Sequence, residues 1–306
     1  MESFFEITTK EWRVFTVSRK ILVLGSTGRL GSCINNSLDF GKHSELLLHS
    51  RKLTGPLGAD LTSRVETFKM LEEIKPSAII NTVALAEIEA CEKNPNRAYR
   101  NNVLTTQNVV DWIDSSSTDC HLVHISTDHV YDGEGAHRED FVELTNFYAY
   151  SKYASELVAR QVSSTVLRTN FVGKSESSLR QTFSDWVVRN MKNNSKIELV
   201  NNIWFSPVPL EYLLRALSLS VREKLEITAN VGSWGGMSKF EFGYKIGKLI
   251  GLDVDQLNSV TAEDCLSYST YRPKNMVMDN SLWEETSGMK CPTTEEVASS
   301  VALEYM

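Results

Sequence analysis

The sequence predicts an α/β protein with a doubly wound parallel sheet and a smaller C-terminal lobe. From residue 20 onward, short apolar runs alternate with stretches of helical periodicity. The runs are apolar at almost every position, as expected of strands that helices cover on both faces. A glycine-rich turn follows the first run, at the place where doubly wound folds bind nucleotides. Together these features predict a parallel sheet whose carboxyl edge carries the functional site.

Composition and charge exclude several other classes of protein. The 306 residues are 42% hydrophobic and 23% charged, which suits one large α/β domain or two modest ones. The net charge is -7, from 32 Lys plus Arg against 39 Asp plus Glu, so nucleic acid is not an expected partner. The five cysteines lack C-x-x-C spacing and the six histidines lack metal-ligand spacing, so neither a disulfide framework nor a metal site is expected. No apolar run reaches about 18 residues, so we expect a cytoplasmic protein that does not enter a membrane.

The predicted elements alternate regularly up to residue 170 and more loosely after it. Strands are expected at 21–25, 45–49, 77–84, 121–126 and 164–170, and helices near 29–38, 66–75, 95–116 and 148–160. Later helices are expected near 178–193, 208–222, 238–250 and 293–304, with short strands at 196–200 and 227–231. Residues 1–19 mix charges and lack the apolar segment of a secretory signal, so they are expected to be a poorly ordered N-terminal extension.

Gly25, Gly28 and Gly31 punctuate the turn between the first strand and the first predicted helix. Gly25 permits a tight turn, Gly28 lets the backbone approach a pyrophosphate, and Gly31 allows close packing of helix and sheet. The N–H groups at the start of the helix would then bind the phosphates. Simple turn chemistry is the alternative, but the position after a first strand predicts a Rossmann-type dinucleotide-binding domain.

The end of the second predicted strand indicates which dinucleotide binds. An NAD site usually presents an acidic residue there, to hold the ribose hydroxyls. In this chain Arg51 and Lys52 follow the strand, and two cations favour the 2′-phosphate of NADP. NADP(H) is therefore the expected cofactor. NAD(H) stays open, because the alternative for these two residues is a solvated basic loop.

Tyr148 and Lys152 are four residues apart in the predicted helix 148–160, so their side chains share one face. A neighbouring ammonium favours the phenolate, which brings a tyrosine toward the range where it exchanges a proton with a carbonyl oxygen. The pair alone would indicate only an exposed amphipathic helix. Thr127, however, directly follows the predicted strand 121–126, where its hydroxyl can reach the same oxygen, although a turn or helix cap is the alternative there. The order of these motifs predicts a hydride-transfer site.

Longer motifs give a family resemblance. The chain contains in order LGSTGRLG, GADLTS, INTVA, RNNVLTTQN, ISTDHVYDG, NFYAYSK, VLRTNFVG and YRPKNMVMD. By these motifs it resembles the extended short-chain dehydrogenase/reductases, and among them the dTDP-4-dehydrorhamnose reductase family, from about Ile21 to the C-terminus. We therefore divide the chain into a nucleotide-binding domain at 20–170, with its catalytic helix at 146–162, and a mainly substrate-binding lobe at 171–306 with a soft boundary.

The resemblance implies roles for individual residues. Thr127, Tyr148 and Lys152 match the family's catalytic triad, and Asn102 matches an asparagine that steadies the active-site helices. The implied cofactor-binding residues are Gly25, Thr27, Gly28, Arg29, Leu30, Gly31, Arg51, Lys52, Asp60, Leu61, Val83, Ala84, Asn102, Tyr148 and Lys152. The implied substrate-binding residues are Thr127, Asp128, His129, Phe171 and Arg272. For Arg272 a structural ion pair is an equal alternative.

The implied activity is NADP(H)-dependent reduction of a nucleotide-linked 4-keto-6-deoxy sugar for polysaccharide synthesis, with Tyr148 as the proton donor. His129 and Phe171 depart from the family's usual tyrosine and tryptophan, so the sugar and the nucleotide base stay open. One alternative is a bifunctional epimerase/reductase, in which His129 is a candidate for the additional acid or base. The other is a non-catalytic NADP-binding regulatory subunit like the methionine adenosyltransferase β subunit. A homodimer is compatible with the resemblance.

Overall fold

A computed structural model describes residues 19–35, 38–41, 43–175 and 181–306 of the chain. The predicted N-terminal extension lies outside the described residues except for Arg19, which begins the first strand instead. Part of the predicted helix near 178–193 also lies outside them.

Strands and helices alternate along most of the described chain. The strands are β1 (Arg19–Leu24), β2 (Ser44–His49), β3 (Ala78–Asn81), β4 (His121–Thr127), β5 (Ser164–Thr169), β6 (Phe171–Val172), β7 (Ile197–Val200), β8 (Trp204–Phe205), β9 (Val208–Pro209), β10 (Thr228–Val231), β11 (Met237–Ser238), β12 (Leu257–Val260) and β13 (Asn275–Met276). The helices are α1 (Arg64–Ile74), α2 (Ile88–Lys93), α3 (Pro95–Ala98), α4 (Thr105–Ser115), α5 (Phe147–Ala159), α6 (Phe183–Lys192), α7 (Leu210–Glu223), α8 (Lys239–Leu249), α9 (Ser281–Ser287) and α10 (Thr294–Leu303).

A six-stranded parallel sheet forms the centre of the fold, in the order β10-β5-β4-β3-β1-β2. The chain leaves β1 for β2 on one side and returns to β3 on the other, which is the winding of a nucleotide-binding α/β fold. The predicted fold class is therefore confirmed. The carboxyl ends of β1, β3 and β4 lie side by side where the strand order reverses.

The apolar character of β1 follows from cover on both faces of the sheet. Its side chains alternate in direction, as in any strand. Ile21 and Val23 enter a core cluster with residues of α7 and α9, whereas Leu22 and Leu24 enter a second cluster with residues of α1, α4 and α5. All four side chains are fully buried, so a continuous apolar run was needed on this strand.

Two predicted helices differ in the structure. The helix expected at 29–38 is a single 3-10 turn at Gly31–Cys33 among the residues described there. The helix expected at 95–116 is divided into α3, a π-helical stretch at Tyr99–Leu104, and α4. The π-helical stretch coincides with Asn102, whose side chain bonds to neighbouring segments, and such wide turns often accompany functional sites.

The part of the chain after residue 170 contributes to two layers. Strand β10 extends the central sheet beside β5, and α7 covers one face of that sheet. Helices α6, α8 and α10 surround a separate apolar cluster that includes Phe205 and Phe242. This second cluster lies next to β4 and the loop after it through the contact of β13 with residues 128–130.

Candidate active site

A cavity of about 190 Å³ lies along the carboxyl edge of β1, β2 and β3. It is lined by Gly25, Thr27, Gly28, His49, Ser50, Arg51, Lys52, Asp60, Leu61, Thr62, Thr82, Val83, Ala84, Asn101 and Thr105. The lining combines glycine backbone, hydroxyl groups, two cations and apolar side chains. This is the mixture of groups that a dinucleotide needs.

The glycine turn allows close backbone approach. Gly25 has a φ of 80°, and its carbonyl accepts a hydrogen bond from the N–H of Gly28 at 2.8 Å. A Cβ on Gly31 would lie 2.3 Å from that same carbonyl oxygen, so a side chain at Gly31 would displace the turn. Because the following helix is only one 3-10 turn, the turn's own N–H groups, and not a helix dipole, are what the structure offers to phosphates.

Nine of the fifteen predicted cofactor-binding residues line this cavity, and the six that do not are Arg29, Leu30, Gly31, Asn102, Tyr148 and Lys152. Arg29 is exposed, whereas Leu30 and Gly31 are buried beneath the turn, and none of the three contributes to the lining. Asn102 is fully buried: its side chain bonds to both backbone groups of Leu85 and to the Ser151 hydroxyl. Asn102 therefore joins the loop after β3 to α5, which agrees with a steadying role.

Sequence reasoning missed several lining residues. His49, Ser50, Thr62, Thr82, Asn101 and Thr105 line the cavity without having been predicted. Asn101 lies in the π-helical stretch and Thr105 begins α4 four residues later, so both side chains reach the cavity from the same side of the helix. Ser50 and Thr82 could have been predicted, because they directly follow β2 and β3 and ligands bind at the carboxyl ends of parallel strands.

Tyr148 and Lys152 lie on one face of α5, as predicted, and both are buried. Asn146 caps this helix by accepting a hydrogen bond from the N–H of Ala149, which fixes the turn that carries Tyr148. The Lys152 ammonium donates to the Ile125 carbonyl at 2.6 Å, and so it is tied to the strand that ends in Thr127. Helix and strand thus hold the predicted triad in one place.

The protonation states in the site differ from the simplest expectation. Burial raises the pKa of Tyr148 to about 12, although the nearby Thr127 hydroxyl acts on the pKa in the opposite direction. Burial also lowers the pKa of Lys152 to about 8, which the nearby Glu156 charge partly offsets. Tyr148 is therefore a protonated phenol at neutral pH, and the expected lowering of its pKa by Lys152 is not what dominates in this structure.

Asp128 and His129 follow Thr127 in a buried turn. Burial raises the pKa of Asp128 to about 6, while the charge of Lys239 and a 2.8 Å hydrogen bond from Asn170 oppose that shift. Burial lowers the pKa of His129 to about 3, so its ring is neutral. The ring lies edge-on to Tyr148 with 5.5 Å between centroids. His129 therefore contacts the Tyr148 ring, and the charge of Asp128 contributes to the raised pKa of Tyr148.

Arg272 and Phe171 are the remaining predicted substrate residues. The Arg272 side chain is buried, forms an ion pair with Glu89, and stacks on the Tyr268 ring with 4.7 Å to the centroid. Its charge acts on His129, so it lies near the Tyr148 site while already having a carboxylate partner. Phe171 begins β6 and is partly buried against the core cluster beneath α7.

A buried ion pair lies beneath the catalytic elements. Glu156, one turn after Lys152, accepts hydrogen bonds from Arg168 of β5 at 2.7 and 3.1 Å and from the Ser126 hydroxyl at 2.5 Å. Arg168 also donates to the Tyr131 hydroxyl at 2.7 Å. This network joins α5, β4 and β5 directly below Thr127.

In the described ranges no group of three or more His, Cys, Asp or Glu side chains is arranged to hold a metal ion. Within the same part of the chain no helix has the length and apolar character needed to cross a membrane.

Comparison with known proteins gives a consistent result. The probable low-salt glycan biosynthesis reductase Agl14 of Haloferax volcanii is 27% identical over 285 residues, which cover 90% of this chain and 94% of that protein. The fold matches the crystal structure of a dTDP-4-dehydrorhamnose reductase from Bacillus anthracis in complex with NADP, with a TM-score of 0.82, 24% identity, and coverage of 94% of this chain and 100% of that one. A dTDP-4-dehydrorhamnose reductase from Clostridium acetobutylicum matches with the same TM-score at 25% identity, again over 94% and 100% of the two chains.

A family model extends these similarities over nearly the whole described chain. The model of the RmlD substrate binding domain matches residues 19–305, which include the cavity, the Tyr148 site and the C-terminal cluster. The resemblance found from the motifs is thereby confirmed, and the chain belongs to the RmlD substrate binding domain family, whose relatives include the dTDP-4-dehydrorhamnose reductases.

Proposed function

We propose that this protein is an NADPH-dependent reductase of a nucleotide-linked 4-keto-6-deoxy sugar. The observation that carries the proposal is the buried, protonated Tyr148 beside Thr127 at the carboxyl end of β4, on the sheet edge that also carries the cavity. The names of the relatives, which are sugar-nucleotide and glycan reductases, support the same class of substrate.

The cavity fits the cofactor by its own chemistry. Gly25 and Gly28 expose backbone without side chains, and Arg51 and Lys52 stand at the end of β2 with no carboxylate partner among the described residues. Two such cations suit a 2′-phosphate better than a bare ribose. When bound, NADPH supplies the hydride that goes with its electron pair to the keto carbon.

The chain's residues then handle the proton. The Tyr148 hydroxyl gives its proton to the keto oxygen as negative charge develops there, and Thr127 donates a hydrogen bond that orients this oxygen. A phenol with a raised pKa is fully protonated before the reaction, which suits a proton donor. Lys152 lies one helical turn after Tyr148 in α5, and its ammonium charge stabilises the tyrosinate that remains.

The test is NADPH oxidation, followed at 340 nm, with dTDP-4-keto-6-deoxy-L-mannose as substrate. We expect turnover by the native protein and a loss of about 10²- to 10⁴-fold in kcat for Tyr148→Phe, the range for removal of a general acid. Tyr150→Phe is the matched control, because Tyr150 lies on the same helix and is 62% exposed. NADPH binding should be preserved in both variants.

Different outcomes separate the rival functions. Equal turnover by Tyr148→Phe and Tyr150→Phe would remove the assigned proton donor. Retained NADPH binding without oxidation by any keto sugar would favour a non-catalytic NADP-binding subunit. Solvent deuterium at C3 or C5 of the product would indicate an epimerase activity, for which His129 would have to act from a neutral ring.

A further inference from the structure

A second cavity, of about 390 Å³, adjoins the dinucleotide cavity next to α3. It is lined by Arg51, Asp60, Thr62, Asn94, Asn96, Arg97, Arg100 and Asn101, and we call it the arginine cavity. Four of these residues also line the dinucleotide cavity, namely Arg51, Asp60, Thr62 and Asn101. A ligand in the dinucleotide cavity can therefore extend into the arginine cavity, where Arg97 and Arg100 have no role in the mechanism so far described.

The arginine cavity has an excess of positive charge. Its lining contains three arginines against the single carboxylate of Asp60, and the other lining side chains are neutral. Among the residues that the structure describes, none of the three arginines has an ion-pair partner or a side-chain hydrogen bond. Like charges that lie close together repel one another, and an anion that binds between them removes this repulsion. The lining therefore favours an anionic ligand group.

The backbone that carries Arg97 and Arg100 is held in place on both sides. The Asn94 side chain caps α3 by accepting a hydrogen bond from the N–H of Arg97 at 3.0 Å. Ala98 and Asn102, which flank Arg100 in the sequence, are both buried. The two arginines thus extend from an anchored segment, which reduces the entropy that a ligand must overcome to order them.

One row of residues runs from the arginine cavity into the dinucleotide cavity. The Asn101 amide donates to the Arg97 carbonyl at 2.8 Å, and the Thr105 hydroxyl donates to the Asn101 carbonyl at 2.7 Å. Residues at such four-residue intervals lie on one side of a helix. Arg97 lines the arginine cavity, Thr105 lines the dinucleotide cavity, and Asn101 lines both. The row fixes where the two cavities meet.

The position of Arg51 indicates which anionic group of the cofactor lies at this meeting point. Arg51 follows β2, where nucleotide-binding α/β folds hold the adenosine ribose, whereas the pyrophosphate binds at the glycine turn. The 2′-phosphate of NADP is attached to that ribose, and guanidinium groups bind phosphate through paired N–H donors. The Asp60 carboxylate, which accepts two 3.0 Å hydrogen bonds from Thr62, would repel a phosphate next to it. The phosphate is therefore expected near the arginines and away from Asp60.

We propose that Arg97 and Arg100 bind the 2′-phosphate of NADPH together with Arg51. The previously predicted residues, Arg51 and Lys52, come from the loop after β2, whereas Arg97 and Arg100 come from α3 and the π-helical stretch. Discrimination between NADPH and NADH then depends on two separate segments of the chain. The proposal deepens the cofactor part of the proposed function and rests on it.

The experiment measures the dissociation constants of NADPH and NADH by fluorescence titration of the full chain. Arg97→Met, Arg100→Met and the double variant are compared with wild type and with Lys93→Met, which removes an exposed cation at the end of α2 that lines neither cavity. We expect each arginine variant to weaken NADPH binding by about tenfold, the lower end of the range for a hydrogen bond between charged groups, because both arginines are exposed. NADH binding should stay within about twofold, and Lys93→Met should change neither constant by more than that.

Two further measurements accompany the titration. Calorimetric binding of adenosine 2′,5′-bisphosphate and of 5′-AMP, which differ by the same phosphate, should show the same selective loss without the nicotinamide half. Thermal unfolding of each variant without cofactor should match wild type, because the substituted side chains are exposed.

Several results would overturn the proposal. Equal losses for NADPH and NADH, or no loss for either, would do so, because the two cofactors differ only in the 2′-phosphate. Equal affinity of wild type for the two cofactors would overturn it as well. A loss in Lys93→Met as large as that in Arg97→Met would show a general effect of charge instead of a binding site.

These outcomes are separable from those of the reductase assay, because binding is read without turnover. A preference for NADPH that depends on Arg97 and Arg100, in a protein that reduces no keto sugar, would contradict the proposed reduction and support the 2′-phosphate site. Turnover of the keto sugar with an unchanged preference in both arginine variants would support the reduction and overturn the site.

Discussion

The ion pair beneath the catalytic helix makes a quantitative prediction about stability. The Glu156 side chain is fully buried and the Arg168 side chain is 1% exposed, and Arg168 bonds to both carboxylate oxygens. Among the residues that the structure describes, Arg168→Met would leave the carboxylate with Ser126 and the partly exposed Arg160 as donors. Removal of one partner of a buried pair costs about 3–5 kcal/mol, and we expect the lower half of that range because Arg160 remains.

The assay is urea denaturation followed by circular dichroism, with free energies of unfolding compared at constant slope. Arg64→Gln is the matched control, because it breaks an ion pair with Asp111 whose arginine is 62% exposed, and such surface pairs contribute about 0–1 kcal/mol. The double variant Glu156→Gln with Arg168→Met should cost less than the sum of the two single variants, since it no longer buries an unpaired charge. The reasoning is refuted if Arg168→Met lowers the free energy of unfolding by no more than Arg64→Gln does. It is also refuted if the effects of the two single variants add up in the double variant.

Two further predictions concern the proposed reaction and the cofactor turn. Because the ammonium form of Lys152 is the active one and burial sets its pKa to about 8, turnover should fall by roughly tenfold per pH unit above that value, and a kcat profile that stays flat to pH 10 would contradict the role of Lys152. Gly31→Ala forces a Cβ to within 2.3 Å of the Gly25 carbonyl oxygen, an overpacking of about 1–3 kcal/mol, so NADPH affinity measured by fluorescence titration should fall by about tenfold. Ser32→Ala, at an exposed neighbour, should bind NADPH normally, and an equal loss in both variants would show that the turn tolerates a side chain at Gly31.

The central sheet was predictable because its signal is local. Residues 21–24 and 78–80 are apolar at consecutive positions because helices cover both faces of those strands. The positions of the glycine turn, of Thr127 and of the Tyr148–Lys152 pair could also be predicted, because each depends on spacing within one strand end or one helix.

The features that the sequence did not predict depend on contacts between distant segments. The π-helical stretch at Tyr99–Leu104 contains Asn102, whose side chain is hydrogen-bonded to Leu85 and Ser151. No local sequence pattern predicts these contacts between distant segments. Lys239 lies 110 positions after His129, and only the tertiary fold brings its charge close enough to lower the pKa of that ring. The prediction of a helix at 29–38 was wrong because glycine and serine in this segment permit a turn as readily as a helix.

The place of β10 in the sheet has a consequence for how the protein can be divided. Residues 228–231 form the outermost strand beside β5, although they come some sixty positions after it. A fragment that ended near residue 170 would therefore leave the fully buried strand β5 as an open edge, with unpaired N–H and C=O groups and uncovered apolar side chains. Such an edge is a template for aggregation. For expression and engineering, the nucleotide-binding half thus has to be carried together with the strand that closes it.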